Sequence, residues 1–339
     1  MTDKLSAAAV LKKVIKTKMF ALIILLALLT TVVSIGTDGI FLNPINIRNI
    51  FDMMIVTGML TIGAAMLLIG GWLDLSVGAV GTMTGMMFAV LLRYHGFHWL
   101  PAFILCLVAA AIIGCINGVL VNIVKFPAFI ATLAMMSVAE GLSFLFSGGR
   151  NVSLSDPFMR SLATGRILNN QIPYSIIILL IFFVVYGLVL AKTKFGRQIY
   201  LVGGNQQAAH LVGINPRKIS FILFINSSVL GAVAGIMFNS RVAAASTMGI
   251  TAQQFNGLIA AILGGVSFGG GTGGLGGAFV GLLIFSAFAN GMFLLGVDSF
   301  LNQTIFGLLL LLSLAFDYIR SRNAVKVKLP RANPKDESA

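Results

Sequence analysis

The side chains that most often act as nucleophiles, acid–base groups or metal ligands are few in this sequence and do not cluster. The three His, His95, His98 and His210, have no Cys or carboxylate at the spacing of a metal site. The two Cys, Cys106 and Cys115, lie in one apolar segment, and about two and a half helical turns separate them, too far for a disulfide. We therefore expect no catalytic site, no metal site and no cofactor bound by this chain.

A glycine run at 264–277 has a spacing that could bind phosphate. It contains GxGxxG at Gly271, Gly273 and Gly276. A dinucleotide site also needs a preceding strand and an acidic residue about 20 residues later, whereas here the flanks are apolar and the following stretch is uncharged. The pattern GxxxxGK[ST] does not occur in this sequence, so we do not expect ATP hydrolysis by a Walker A loop. The glycines indicate a tight turn and close helix approach.

Asp74 is an acidic residue inside an apolar stretch, in the sequence GGWLDLSVG. Asp followed by Ser76 at a helix restart predicts an N-cap, with the oxygens of both side chains accepting hydrogen bonds from free amides. The alternative is a charge that faces a water-filled path through the membrane. The structural interpretation is the one we favour.

Glu140 also lies within an apolar segment. A charge there is costly and usually faces a bundle interior or water, and Arg150 is a candidate partner. We expect Glu140 at the outer mouth of a path. Interhelical hydrogen bonding is the alternative explanation for buried amide side chains. The candidates to line such a path are Asn117, Glu140 and Asn290.

The composition identifies a helical membrane protein. Of the 339 residues, 58% are hydrophobic and 10% are charged, whereas a soluble domain carries about 25% charged residues. No charge occurs in the 56 residues between Arg241 and Asp298, and a helix that crosses a bilayer needs about 20 apolar residues. We predict an all-α polytopic membrane protein. The formal net charge of +13 is interpreted as a determinant of membrane orientation and not as nucleic-acid binding.

The hydropathy pattern predicts about ten spans. With both termini in the cytoplasm, all twelve Lys and five of the eleven Arg fall on the cytoplasmic side, as the positive-inside rule favours. The predicted divisions are a cytoplasmic N-terminal segment 1–18, a transmembrane domain 19–318 with an outer loop 148–171, and a cytoplasmic tail 319–339. The spans are predicted at 19–36, 50–71, 75–93, 99–124, 127–147, 172–191, 219–238, 254–269, 276–295 and 300–318.

Broken or re-entrant helices are the expectation at two places, near 70–76 and 264–276. A weak internal similarity links these places, because AAMLLIGG at 64–71 and AAILGGVS at 260–267 both precede a turn. Transporters are often built from two structural repeats with the substrate path near their interface.

The polar loop at 192–218 carries five basic residues and lies on the predicted cytoplasmic side. Asn205 can begin a short amphipathic helix as its N-cap, and Gly213 can end it. The pair Ala208 and Ala209 would keep one face of that helix small enough to enter a groove on a partner. We therefore predict that this loop docks a partner protein.

Two motifs resemble those of inner-membrane permeases of bacterial ABC importers of the ribose type. DLSVG at 74–78 is similar to that family's GG-I-DLSVG, and GGNQQAAHLVGI at 203–214 is similar to its GGN-x-x-AA-x-x-x-GI. AAILGG at 260–265 and Asn-Gly at 290–291 also fit, and the resemblance runs from about 45 to 318.

The resemblance implies the roles of particular residues. In the loop, a rigid helix would pass ATPase closure to the spans, with Pro216 expected to stop that helix before the seventh span. The residues implied for coupling are Gly203, Gly204, Asn205, Gln207, Ala208, Ala209 and Gly213. The residues implied for the signature at the helix break are Gly71, Asp74, Ser76 and Gly78.

The resemblance also implies partners and a location in the bacterial inner membrane. Two permease copies, as a homodimer or a heterodimer, would form a path through the lipid bilayer for a monosaccharide or similar small polar solute. Two ABC ATPase subunits would bind ATP and Mg below, and a periplasmic binding protein would deliver substrate from above. No nucleic-acid partner is expected. The alternatives are an ion-coupled secondary transporter that works alone, and an ABC permease for a nucleoside, an amino acid or a signalling molecule.

Overall fold

The computed structural model describes residues 18–168 and 171–324, and nearly all of its regular structure is helical. Two pairs of very short antiparallel strands accompany the helices: β1 (Val152–Ser153) with β4 (Ala244–Ala245), and β2 (Arg166–Ile167) with β3 (Ile172–Pro173). The helices in chain order are α1 Lys18–Gly36, α2 Pro44–Gly70, α3 Val77–Arg93, α4 Trp99–Asn122, α5 Ala128–Ser147, α6 Pro157–Thr164, α7 Tyr174–Lys192, α8 Lys194–Gly204, α9 Gln206–Leu211, α10 Pro216–Val242, α11 Gln254–Leu263, α12 Leu275–Leu294 and α13 Ser299–Ala324.

The polytopic helical fold is confirmed. Within the described residues, 8 helices are long and apolar enough to cross a membrane, namely α1, α2, α4, α5, α7, α10, α12 and α13. Two shorter apolar helices, α3 and α11, match the remaining two predicted spans. The ten residues of α11 extend about 15 Å, half of a hydrocarbon core of about 30 Å. Ten complete crossings and the side of each terminus stay predictions.

The helix α2 is the centre of the bundle. Of the most apolar 18-residue stretch of α2, 94% is buried inside the protein, whereas the corresponding share is 6% for α1 and 6% for α13. It packs against α7, α10, α11 and α12, and α10 packs in turn against α3 and α4. The exposed apolar faces of α1 and α13 are suited to lipid or to a second chain, because a bilayer does not penalise apolar surface.

Both predicted interruptions are present as breaks between helices. The helix α2 ends at Gly70, its C-cap Gly71 has a left-handed φ of 86°, and the chain stays non-helical until α3 begins at Val77. The second break separates α11 from α12. Glycine adopts the left-handed region without strain, which explains why the chain can turn sharply here.

Pro216 has a different role from the predicted one. It is the first residue of α10 and does not end the helix before it. The first amides of a helix have no intrahelical acceptor, so the missing N–H of proline is tolerated there. The Asn215 side chain accepts a hydrogen bond from the Lys218 amide at 3.3 Å and completes the cap. The seventh span is consequently longer than predicted, Pro216–Val242 instead of 219–238.

The predicted divisions of the chain lie partly outside the described residues. Residues 1–17 of the N-terminal segment, residues 169–170 of the outer loop and residues 325–339 of the tail are not described. The outer loop contains α6, which Asp156 caps by accepting a hydrogen bond from the Met159 amide at 2.8 Å. The division at 1–18, 19–318 and 319–339 stays a prediction.

Candidate functional site

The loop at 192–218 folds into two helices, α8 and α9, of which only the second was predicted. The Thr193 hydroxyl accepts a hydrogen bond from the Gly196 amide at 3.1 Å and begins α8. Gly196, Ile199 and Val202 are buried along one face of this helix, which packs against α2 and α7. The helical spacing of these residues, together with a Thr cap, was the signal for α8 in the sequence.

The helix α9 has the predicted caps. The Asn205 side chain accepts a hydrogen bond from the Ala208 amide at 2.9 Å. Past the other end, Gly213 has a φ of 83°, and the Ile214 amide donates to the Ala209 carbonyl at 3.0 Å. This wrapping of the chain is the usual glycine-dependent helix end. It holds α9 as a compact projection beside α8, while the coupling role of the loop stays a prediction.

The two alanines of α9 face different surroundings. Ala209 is buried in the protein's own core, whereas Ala208, Gln206 and Gln207 are exposed. Of the two alanines that were predicted to form a small face for a partner, only Ala208 is therefore accessible. The exposed tip continues to Leu211, which is 86% exposed, and Val212, which is 71% exposed. Adjacent exposed apolar side chains on a polar loop are typical of a protein contact.

The end of α8 touches both helix breaks through backbone atoms, at a contact we call the glycine junction (Gly71, Gly203, Gly270 and Gly271). A Cβ atom on Gly203 would overlap the Ile69 carbonyl oxygen and lie 2.7 Å from the Gly271 nitrogen. A Cβ atom on Gly270 would lie 2.6 Å from the Gly203 carbonyl oxygen. Glycine is required at these positions because only backbones without side chains can approach so closely.

The two breaks are also joined directly. The Gly271 amide donates a hydrogen bond to the Ile69 carbonyl at 2.8 Å. The similar segments at 64–71 and 260–267 thus lead into breaks that meet at the glycine junction. A Cβ atom on the neighbouring Gly204 would have no neighbour within 4 Å, although the Gly204 backbone lies close to Gly271.

Tyr200 adds a polar link between α8 and the second break. Its hydroxyl donates a hydrogen bond to the Gly273 carbonyl at 2.8 Å. Partial burial raises the pKa of the Tyr200 hydroxyl above its ordinary value, so the group remains a neutral donor at physiological pH. The helix α8 is accordingly held to the turn before α12 by both packing and a hydrogen bond.

Asp74 and Ser76 form a buried polar cluster at the first break. The Asp74 Oδ1 atom accepts hydrogen bonds from the Ser76 amide at 2.8 Å and from the Ser76 hydroxyl at 2.6 Å. The Ser76 hydroxyl in turn accepts one from Asn117 Nδ2 at 3.0 Å. Asp74 thus satisfies a free amide at the start of α3, as predicted, whereas the Ser76 side chain makes no cap hydrogen bond. Among the described atoms, Asp74 Oδ2 has no hydrogen-bond partner.

Gly78 brings the starts of the two short helices together. A Cβ atom there would overlap the Gln254 side-chain oxygen and lie 2.9 Å from the Ile250 carbonyl oxygen. Gln254 is the first residue of α11, and Gly78 is the second residue of α3. Discontinuous helices that begin inside the membrane are a recurrent feature of transporters.

Asn117 belongs to the polar cluster with Asp74 and Ser76, whereas the other two candidates for lining a path, Asn290 and Glu140, lie apart from it. Asn290 on α12 and Asn46 on α2 exchange two amide hydrogen bonds, of 2.8 and 3.0 Å. Asn46 lies near the start of the 27-residue α2, about 40 Å along the helix from the break at its end. Glu140 is half-buried on α5, and in the described part of the chain it forms no ion pair with Arg150. Path lining by Asn117, Glu140 and Asn290 stays a prediction.

An ion pair that the sequence did not predict lies in the first half of α2, beside the predicted outer loop. Asp52, which is 5% exposed, accepts a hydrogen bond from Arg166 of β2 at 3.0 Å and one from the Ser175 hydroxyl at 3.2 Å. The available signal was an acidic residue in a long apolar helix, which needs a partner. The pair fastens the outer loop to α2 and α7.

Within residues 18–168 and 171–324, no three His, Cys, Asp or Glu residues are grouped to hold a metal ion.

Comparisons with known proteins bear on the same stretch of chain. A family model described as "Branched-chain amino acid transport system / permease component" matches residues 46–314. The ribose import permease protein of Bacillus subtilis (strain 168) is 31% identical over 296 residues, which cover 87% of this chain and 91% of the relative. No solved structure matches.

Two further relatives have comparable coverage. The ribose import permease protein of Haemophilus influenzae is 33% identical over 304 residues, 88% of this chain and 91% of the relative. The L-arabinose ABC transporter permease protein of Azospirillum brasilense is 33% identical over 290 residues, 85% of this chain and 84% of the relative. The family match at residues 46–314 includes both helix breaks and the loop that carries α8 and α9.

Proposed function

Since this chain belongs to the branched-chain amino acid transport system / permease component family, we propose that it is the membrane-spanning subunit of an ATP-binding-cassette importer. It is a multi-pass protein of the inner membrane. In the proposed function, the chain carries a small polar solute into the cytoplasm, and separate ATPase subunits supply the energy. The observation that supports this proposal best is the exposed tip of α9 on a rigid support.

The contacts of α8 and α9 with the bundle explain how the exposed tip could act on the spans. The exposed side chains of Leu211 and Val212 would be the contact with an ATPase subunit. The buried Ala209 and the residues of α8 tie that tip to the bundle. The glycine junction then contacts the C-terminal end of α2 and the turn before α12. Packed backbones transmit displacement because interiors have low compressibility, so closure of the ATPase subunits would move both breaks together.

The proposed substrate class is a monosaccharide. The names of the relatives, ribose import permease and L-arabinose ABC transporter permease, support it. The family description names branched-chain amino acids instead, so an amino acid is the second candidate substrate. A periplasmic binding protein and a second permease chain complete the proposed assembly, and ATP with Mg would be bound by the ATPase subunits alone.

The test is purification of the tagged chain from its native membrane in mild detergent, with identification of the proteins that accompany it. We expect an ATPase subunit in stoichiometric amount. In Leu211→Asp, a charge replaces an exposed apolar contact, and we expect at least about tenfold less ATPase, as for truncation of a contact of 1.4 kcal/mol or more. Leu168→Asp is the matched control, because Leu168 is 67% exposed but lies in the outer loop.

Uptake assays in proteoliposomes decide between the remaining mechanisms. With the ATPase and binding protein present, ribose or arabinose uptake should require internal ATP. Leucine uptake at the same rate would replace the sugar with an amino acid. Uptake by the purified chain alone, driven by an ion gradient without ATP, would overturn the proposal in favour of a secondary transporter.

A further inference from the structure

A cavity lies between α8 and the start of α10, on the side that the charge distribution assigns to the cytoplasm. Its volume is about 460 Å³. The residues that line it include Phe195, Gln198, Asn215, Lys218, Ile219 and Ile222. The side chains of Leu211 and Val212 at the tip of α9 do not line it, but the adjacent Gly213 does, so the cavity borders the proposed ATPase contact.

The lining changes from polar to apolar along α10. Asn215 and Lys218 are exposed at the start of the helix, and Ile222 lies four residues beyond Lys218, about 6 Å deeper. Ile222 is exposed and belongs to an apolar helix that is long enough to cross a membrane, so we expect it to face lipid. We therefore expect the cavity to open at the depth where phospholipid headgroups meet their acyl chains.

One basic residue lines the polar end of the cavity, and three more adjoin its lining residues in the sequence. Lys218 lines it, and Arg217, Lys194 and Arg197 are sequence neighbours of lining residues and are exposed. No acidic residue occurs between Asp156 and Asp298. The ion pair Asp52–Arg166 lies on the opposite side and involves none of these basic residues. Within residues 18–168 and 171–324, these basic side chains form no ion pair, so they are available to an external anion.

We propose that this cavity binds an anionic phospholipid of the cytoplasmic leaflet. Lys218 would contact the phosphate, with Arg197 and Arg217 adding positive charge, and the first acyl carbons would pack on Phe195 and Ile222. Basic pockets between spans bind anionic headgroups in this way. The apolar lining favours a lipid over a soluble anion or an acidic protein loop, which would leave Phe195 and Ile222 without an apolar partner. The lipid would brace α8 against α10.

The test is native mass spectrometry of the purified chain titrated with phosphatidylglycerol or, separately, with zwitterionic phosphatidylcholine of the same acyl chains. We expect a saturable phosphatidylglycerol adduct at least about tenfold tighter than the phosphatidylcholine adduct. The double variant Arg197→Gln, Lys218→Gln should lose about tenfold or more in affinity, because each basic residue near anionic lipid contributes roughly fivefold. Lys125→Gln is the matched control, because Lys125 is an exposed basic residue on the same predicted side.

A second variant distinguishes binding inside the cavity from attraction of the lipid by positive charge alone. Ile222→Trp keeps every charge and fills the apolar end, so it should weaken the phosphatidylglycerol adduct while thermal unfolding in detergent stays near that of the parent. Unchanged binding in Ile222→Trp would place the lipid outside the cavity and overturn the proposal. Equal affinity for the two lipids would do the same.

The outcome is independent of the proposed function, because lipid binding is measured on the chain alone. If the double variant lost the ATPase subunit but kept its phosphatidylglycerol adduct, the cavity would be a protein contact and the lipid assignment would fail. If the lipid site were confirmed while no ATPase accompanied the chain, the importer proposal would fail and the lipid site would stand.

Discussion

Asp74 is a carboxylate held inside the bundle by the chain around it. It is 5% exposed, and its Oδ1 atom accepts hydrogen bonds from the amide and the hydroxyl of Ser76. The start of α3 adds a favourable interaction, because the first turn of a helix carries partial positive charge. These contacts explain how an acidic residue persists there with no basic partner among the described residues. They favour the structural interpretation of the signature over a charge that faces a path.

This interpretation predicts a difference between two substitutions. Asp74→Ala removes the acceptor and leaves the buried Ser76 amide unsatisfied, which should lower the free energy of unfolding by about 2–3 kcal/mol. Asp74→Asn keeps an oxygen at the same position and should cost about 1 kcal/mol or less. Thermal unfolding in one detergent measures both. If the two variants lost equal stability, the charge itself would be required and the cap would be a secondary role.

Asp52 is a second buried carboxylate, and unlike Asp74 it has a basic partner. It lies in the same apolar stretch of chain, on α2, where Arg166 neutralises it and the Ser175 hydroxyl donates a further hydrogen bond to it. Removing one member of a buried pair is costly because it leaves an uncompensated charge. The outer loop is thereby tied to the bundle by a contact between residues 114 positions apart in the sequence.

At the scale of elements, α8 is the connection between the exposed tip and the bundle. Its Gly203 sits against the backbones of Ile69 and Gly271, while a Cβ atom on the adjacent Gly204 would point into open space. Neither glycine has a left-handed φ, so a substitution at either one tests the space around it and not backbone strain. The chain thus offers two neighbouring glycines in one helix with opposite surroundings.

Gly203→Ala and Gly204→Ala should therefore change the free energy of unfolding in opposite directions. The Cβ at 203 would overlap backbone atoms that cannot move independently, so we expect a loss of about 2 kcal/mol in the free energy of unfolding and a loss of ATP-dependent uptake. The Cβ at 204 meets nothing, and Ala is a better helix former than Gly by about 0.5–1 kcal/mol. Thermal unfolding and uptake measure both effects. Comparable behaviour of the two variants would show that the glycine junction is not a close contact in the membrane.

At the scale of the whole molecule, the bundle is arranged around α2, with the two short helices α3 and α11 starting against each other inside it. The arrangement puts both breaks and α8 at one end, and the Asn46–Asn290 and Asp52–Arg166 pairs at the other. If the orientation inferred from charge is correct, the end with α8 faces the cytoplasm and the end with the outer loop faces the periplasm.

Cysteine labelling tests this orientation. In a Cys115→Ser background, Gln207→Cys on α9 and Met248→Cys in the loop before α11 place a thiol at exposed sites on opposite ends. A membrane-impermeant maleimide should label position 248 in intact spheroplasts and position 207 only after permeabilisation. The reverse pattern would place α8 outside and remove the ATPase contact from the proposed function.

Composition and local pattern determined the fold class, the positions of ten apolar segments and both helix breaks. They also determined the caps at Asn205 and Gly213. These features depend on the cost of placing charge and free backbone groups in a bilayer and on side-chain contacts with amides a few residues away, which a single sequence carries in full.

Only the tertiary structure decided which of these features meet. The contact of Gly203 with Gly71 and Gly271, the burial of Ala209 beside the exposed Ala208, and the pair Asp52–Arg166 all join residues through packing of whole helices. Such contacts depend on how each helix is rotated and how deeply it sits among its neighbours. An apolar helix in a membrane is apolar on nearly every face, so its sequence pattern does not indicate which face packs inward.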